Sequence, residues 1–237
     1  MKKLNEITRI STAELIIWRT VRALLLLWGI YGIFTDSVTK FLMALFSIAF
    51  THLWDFFQLF GGRSFITRMP PTFQTMLNIF IFYGCVCGDI ITTYTDFTSN
   101  DIITHTLSGI VAAWGAYDLA VCIQGQKRHL SPALAALFSF TFSMFISVGW
   151  ELYEFTMDRV YGYTLQTSGI LDEMGLVDTM TDFIFCVIGS LIGMFTVAFY
   201  RNGIIGPNRR ERRAEVKERS CIDRKEELEF LGIEDIK

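Results

Sequence analysis

Apolar residues gather into six long runs along this chain, at residues 15–34, 41–60, 73–94, 102–123, 133–155 and 182–200, with short polar stretches between them. Each run is near the 20 residues that a helix rising about 1.5 Å per residue needs to cross a bilayer. Within hydrocarbon, such a segment must satisfy its own backbone, which a helix does. The pattern therefore predicts an all-α polytopic membrane protein with six transmembrane helices. The first run is uncharged only over residues 23–34, so Arg19 and Arg22 are expected to snorkel to the headgroups, with Trp18 and Trp28 as interfacial aromatics. Residues 1–200 form the six-helix domain. Residues 201–237 are a charged cytoplasmic tail in which Ile222, Leu228, Phe230, Leu231 and Ile233 recur among acidic and basic side chains, as on a surface helix.

Composition agrees: half of the 237 residues are apolar and 22 are Phe, outside the range of an ordinary soluble domain. The first run is preceded by Arg19 and Arg22 and followed by Thr35-Asp36-Ser37, with no small-residue cleavage site, so it is expected to stay as a membrane helix. Cys85, Cys87, Cys122, Cys186 and Cys221 are odd in number, lack zinc-ligand spacing and lie mostly in apolar runs, so they read as packing residues. Gly84 and Gly88, Gly109 and Ala113, and Gly189 and Gly193 are spaced to let helices approach closely.

Charge gives the orientation. Lys2, Lys3 and Arg9, then Arg63 and Arg68, then Lys127 and Arg128, then Arg209-Arg210-Glu211-Arg212-Arg213 fall on one side of six spans. The other side carries Asp36 and Lys40, Asp96 and Asp101, then Asp158, Arg159, Asp172, Glu173 and Asp178. The excess of Lys and Arg on one side predicts both termini in the cytoplasm of an inner or plasma membrane. The lipid bilayer is the expected partner, and no nucleic acid is.

Three descending helices open alike, at Asp36-Ser37-Val38-Thr39-Lys40, Asp101-Ile102-Ile103-Thr104-His105 and Asp178-Thr179-Met180-Thr181-Asp182. Asp before a helix with Thr three residues on is a capping pattern, so Asp101 and Asp178 are read as caps first. The residues one turn later, His105 and Asp182, are then the informative ones. From the helical rise, Asp89 lies about 24 Å up the third helix, and Glu151 and Glu154 about 27 and 32 Å up the fifth. Four helices thus deliver Asp89, His105, Glu151, Glu154 and Asp182 to one level near the outer boundary.

Hard oxygen donors with one imidazole suit Mg²⁺, Mn²⁺, Ca²⁺ or Zn²⁺. The expected ligands are His105, Glu151, Glu154 and Asp182, with Asp89 or a spare Glu as general base, for hydrolysis or group transfer on a lipid-linked substrate. Acidic groups at an outer surface can also sit in wet headgroups without a ligand, and Trp150, Tyr153, Tyr161 and Tyr163 fit an aromatic belt. A lower set, His52, Asp55 and Asp118, leaves open a cation- or proton-coupled transporter, although no inverted repeat or pair of Gly/Pro-broken helices accompanies it. A non-catalytic membrane scaffold is the third reading.

Asp101-x-x-x-His105-x-x-x-Gly109, Trp150-Glu151-x-x-Glu154 and Asp178-Thr179-x-x-Asp182 followed by Gly189 resemble the YjdF-like family of bacterial multi-pass inner-membrane proteins, over about residues 89–195. Gln166 is similar to a Gln of that family, with a longer segment after it here. The resemblance implies topology and location and supplies no reaction. A fainter similarity links the chain to the VanZ-like family, through a His early in one helix and a Gln before an Asp of the last. The outer-loop Arg of that family has only Arg159 as a counterpart, and Arg159 precedes Gln166 instead of following it.

Overall fold

The computed structural model describes residues 10–35, 37–59, 69–95, 99–124, 131–162, 165–166 and 173–231, and every regular element among them is helical. Ser11 opens α1 (Thr12–Phe34) with a reciprocal capping box: Glu14 N–H bonds Ser11 Oγ at 3.2 Å, and Ser11 N–H bonds Glu14 Oε2 at 2.9 Å. Next come α2 (Val38–Thr51), α3 (Leu53–Leu59) and α4 (Pro71–Phe82). A π-helical turn, Tyr83–Cys87, joins α4 to α5 (Gly88–Tyr94), and α6 (Asn100–Gln124), α7 (Pro132–Tyr161), α8 (Glu173–Arg201) and α9 (Arg209–Leu231) follow. Prolines at the first positions of α4 and α7 start those helices where a missing N–H costs nothing.

Five helical stretches are long and apolar enough to cross a membrane: Thr12–Phe34, Pro71–Ile91, Asn100–Gln124, Pro132–Tyr161 and Gly175–Arg201. The run at 41–60 is different, because it breaks at His52. No Gly or Pro causes the break. Thr51 Oγ1 donates to Ile48 O at 2.8 Å and His52 Nδ1 lies 2.8 Å from the same oxygen, so side chains compete for the ladder. The freed Thr51 carbonyl accepts from Arg22 at 2.5 Å. Arg22 therefore does not snorkel; it also pairs with Asp55 at 2.6 Å. Trp18 is buried among the helices, and its Nε1 donates to Thr75 Oγ1 at 2.8 Å.

Two helices begin earlier than the apolar pattern suggests. With α6 starting at Asn100 and α8 at Glu173, Asp101 sits within a first turn and Asp178 inside a helix, so neither is a cap. Ser37 caps α2 by accepting from Lys40 N–H. Asp36, Asp96, Asp172, Lys2, Lys3, Arg9, Arg63, Arg68, Lys127, Arg128 and Tyr163 lie outside the described residues.

The closest pairing joins α6 to α8, which run in the same direction, with α7 antiparallel against both. A Cβ on Gly189 would fall 2.1 Å from Thr106 O, one on Gly109 2.6 Å from Cys186 O, and one on Gly193 2.7 Å from Ile110 O. Only glycine permits this approach. Gly84, by contrast, has nothing within 4 Å of such a Cβ and is not a packing glycine. From α7, Ser143 Oγ donates to Gly109 O at 3.1 Å and meets Ser190 Oγ at 2.8 Å. Beyond α8 the chain turns through Gly203 and Gly206, both at positive φ, and Arg212 stacks 4.2 Å over Tyr200 while bonding Tyr200 O and Ile205 O.

Candidate functional site

The glycine seam of α6 and α8 aligns His105 with Asp182, and α7 brings Glu151 against both. On α7 this follows from a stripe at spacing four: Ser139, Ser143, Ser147 and Glu151 are all buried. Small hydroxyls let α7 close on the seam and leave the long Glu151 side chain at the top of it. Near the end of α7, buried Asp158 accepts Leu165 N–H at 2.8 Å and Gln166 N–H at 3.0 Å, and Gln166 Nε2 donates to Thr179 Oγ1 on α8 at 2.7 Å. Asp158 thus fastens the chain after α7 to the N-terminal part of α8, which the sequence pattern alone did not indicate.

His105 stands at the centre. Its Nε2 is 3.3 Å from Asp101 Oδ1 and 3.6 Å from Asp182 Oδ1, and its Nδ1 is 3.9 Å from Glu151 Oε1. Asp101, His105 and Asp182 can each offer a ligand atom within 4.8 Å of one another, and so can Glu151, Glu154 and Asp182. Asp182 belongs to both groups, so the five side chains form one continuous cluster. Trp150 Nε1 donates to Glu154 Oε1 at 2.8 Å at the rim.

Burial makes the cluster costly. Glu151 is 4% exposed and Asp182 2%, and neither oxygen of Glu151, nor Asp182 Oδ1, has a hydrogen-bond partner among the described residues. The imidazole is the one basic side chain among these five residues. Four carboxylates around one imidazole leave excess negative charge wherever more than one carboxylate is ionised, and buried carboxylates tolerate that only if protonated or neutralised by a cation.

Four of the five residues expected to carry chemistry, His105, Glu151, Glu154 and Asp182, therefore meet. Asp89 does not join them: its Oδ2 is 2.5 Å from Lys40 Nζ, which also lies 4.8 Å over the Trp28 ring. Asp89 belongs to neither group of potential ligands and pairs with Lys40 of α2. Asp101 takes the fifth place; its spacing of four from His105 was the legible signal. Cys186, expected to be simple packing, lies 3.5 Å from His105 Nδ1 and 3.7 Å from Ser108 Oγ, on the floor of the cluster. All five cysteines are free.

The lower acidic residues each meet an arginine. Asp55 pairs with Arg22, and Asp118, 4% exposed, pairs with Arg201 at 2.5 Å.

The model of the family described as "Predicted membrane protein (DUF2238)" matches residues 15–203. A curated protein of Thermotoga maritima, described as "Uncharacterized protein", is 29% identical over 133 residues, 55% of this chain and 62% of its own length. The chain thus spans less than two thirds of that relative. No solved structure matches. With most of its length covered by the family model, the chain belongs to the DUF2238 family of predicted membrane proteins.

Proposed function

We propose that this member of a predicted membrane protein family crosses the plasma membrane six times, with both termini cytoplasmic, and binds a divalent cation in an outward-facing pocket of α6, α7 and α8. Hydrolysis or group transfer on a lipid-linked substrate is the chemistry that such a pocket serves. One observation carries the reading: both oxygens of a buried Glu151 lack a hydrogen-bond partner, beside an equally buried Asp182. A buried carboxylate with no hydrogen bond costs several kcal/mol, and a bound cation offsets that cost directly.

His105, Glu151, Asp182 and Asp101 are the ligand set, and Mg²⁺, Mn²⁺, Ca²⁺ or Zn²⁺ suits its hard donors. An ion held there would supply a Lewis acid for water and for the substrate's oxygen. Glu154, held at the rim by Trp150, is the proton acceptor in place of Asp89, which Lys40 occupies. A site this close to the helix ends meets a headgroup rather than a lipid tail: His105 lies only about 8 Å along α6.

Supporting six spans, α2 and α3 together run from residue 38 to 59, long enough to cross when taken as one broken helix. The family match over residues 15–203 supports the YjdF-like resemblance. Transport is less favoured, because arginines compensate Asp55 and Asp118 along the inward route.

The test compares wild-type protein with Glu151→Gln/Asp182→Asn, both purified into nanodiscs, for Mn²⁺ binding by electron paramagnetic resonance and for bound metal by elemental analysis. Wild type is expected to bind and the variant to lose binding while keeping its helical content. Equal occupancy in the two proteins would remove the site.

A further inference from the structure

The donors of the acidic cluster fall into two groups. Asp101, His105 and Asp182 offer ligand atoms within 4.8 Å of one another, Glu151, Glu154 and Asp182 do so separately, and the two groups share Asp182 alone. The imidazole accounts for the division. Its Nε2 faces Asp101 Oδ1 at 3.3 Å and Asp182 Oδ1 at 3.6 Å, whereas Glu151 Oε1 lies 3.9 Å from the other nitrogen, Nδ1. An ion on Nε2 is thus within reach of Asp101 and Asp182, while Nδ1 keeps its proton for Cys186 Sγ at 3.5 Å and for Glu151.

The second group carries its own unsatisfied ligand. Glu151 and Glu154 are three residues apart on α7 and share a face, on which both meet Asp182 of α8. Glu151 is 4% exposed, and neither of its oxygens has a hydrogen-bond partner among the described residues. Glu154 gives one oxygen to Trp150 Nε1 at 2.8 Å and keeps the other. Two-ion sites hold their metals about 3.5–4 Å apart, a span that the two oxygens of one carboxylate bridge. Asp182, common to both groups, is placed to do so.

Charge points the same way. Asp101, Asp182, Glu151 and Glu154 carry four negative charges when ionised, and a neutral imidazole adds none. One divalent cation leaves two of those charges uncompensated, and two cations leave none.

We propose that the cluster is a two-ion centre: Asp101, His105 Nε2 and Asp182 hold one divalent cation, Glu151, Glu154 and Asp182 hold a second, and Asp182 bridges them. This rests on the cation pocket proposed above and divides its donors between two ions. Glu154, the proton acceptor when one ion is bound, becomes a ligand when the second enters.

Full-length protein in phosphatidylcholine nanodiscs is dialysed to equilibrium against Mn²⁺, with empty nanodiscs as the blank, and bound metal per chain is read by elemental analysis. Wild type is expected to saturate at two ions per chain. Its electron paramagnetic resonance spectrum should show a spin-coupled pair, with hyperfine lines closer together than those of isolated Mn²⁺. Glu154→Gln, at the rim, should lower saturation to one ion and return the isolated spectrum, with helical content unchanged. Wild-type stoichiometry and spectrum decide the proposal without recourse to any variant. Saturation at one ion overturns the two-ion centre and leaves the cation pocket standing, with protons on the remaining carboxylates. No bound ion removes the pocket as well. Two ions without spin coupling overturn the Asp182 bridge, and a Glu154→Gln protein that keeps a coupled pair overturns the second ligand group.

Discussion

Replacing Gly189 by alanine adds one methyl group and tests whether the α6–α8 seam sets the geometry of the site. The new Cβ would fall 2.1 Å from Thr106 O, 2.9 Å from Thr106 C and 3.1 Å from Thr106 Cα. All three are backbone atoms, so no rotamer change relieves the contact. Carbon and oxygen need about 3.3 Å, so the helices must part by about 1.2 Å at this level. The 3.6 Å separation of His105 Nε2 and Asp182 Oδ1 would then grow toward about 5 Å, the limit for two ligands on opposite sides of one ion. Overpacking of this kind costs about 1–3 kcal/mol of stability. Displaced ligand support lowers metal affinity by about 10–100-fold. Gly149→Ala is the control: nothing lies within 4 Å of its Cβ, so the same chemical change should stabilise α7 by about 0.5–1 kcal/mol. Thermal unfolding in detergent and Mn²⁺ titration of both variants read out the two effects. If Gly189→Ala unfolds and binds like wild type, close backbone approach does not hold the site together.

Arg201→Met should destabilise the protein by about 3 kcal/mol, because it strands the buried Asp118 carboxylate, and adding Asp118→Leu should restore much of the loss in the same unfolding assay. Cys221 is the exposed cysteine, so an impermeant maleimide should label it only after the membrane is opened; labelling of intact cells would reverse the proposed orientation. Ser143→Ala removes the hydroxyl that joins Gly109 O and Ser190 Oγ, and a loss of about 0.6–1.7 kcal/mol is expected from denaturant titration.

Periodicity and composition were sufficient to announce a helical membrane protein, because the requirement to bond every backbone group in hydrocarbon acts locally, on each segment by itself. That His105, Glu151, Glu154 and Asp182 would lie at a common level followed from counting residues along helices, and the structure brings them together. Which side chains meet at a given depth is a different matter. That depends on helix rotation and on neighbours distant in sequence, which is why Asp89 pairs with Lys40, Arg22 turns to Asp55, and Asp101 and Cys186 flank an imidazole. The glycines were visible as a motif, but only the packed bundle shows that those of α6 and α8 bring backbones into contact while Gly84 faces open space. The break at His52 belongs to the same class, since the arginine that donates to the freed carbonyl comes from another helix. Local chemistry chose the elements; contact across helices chose the partners of each buried charge.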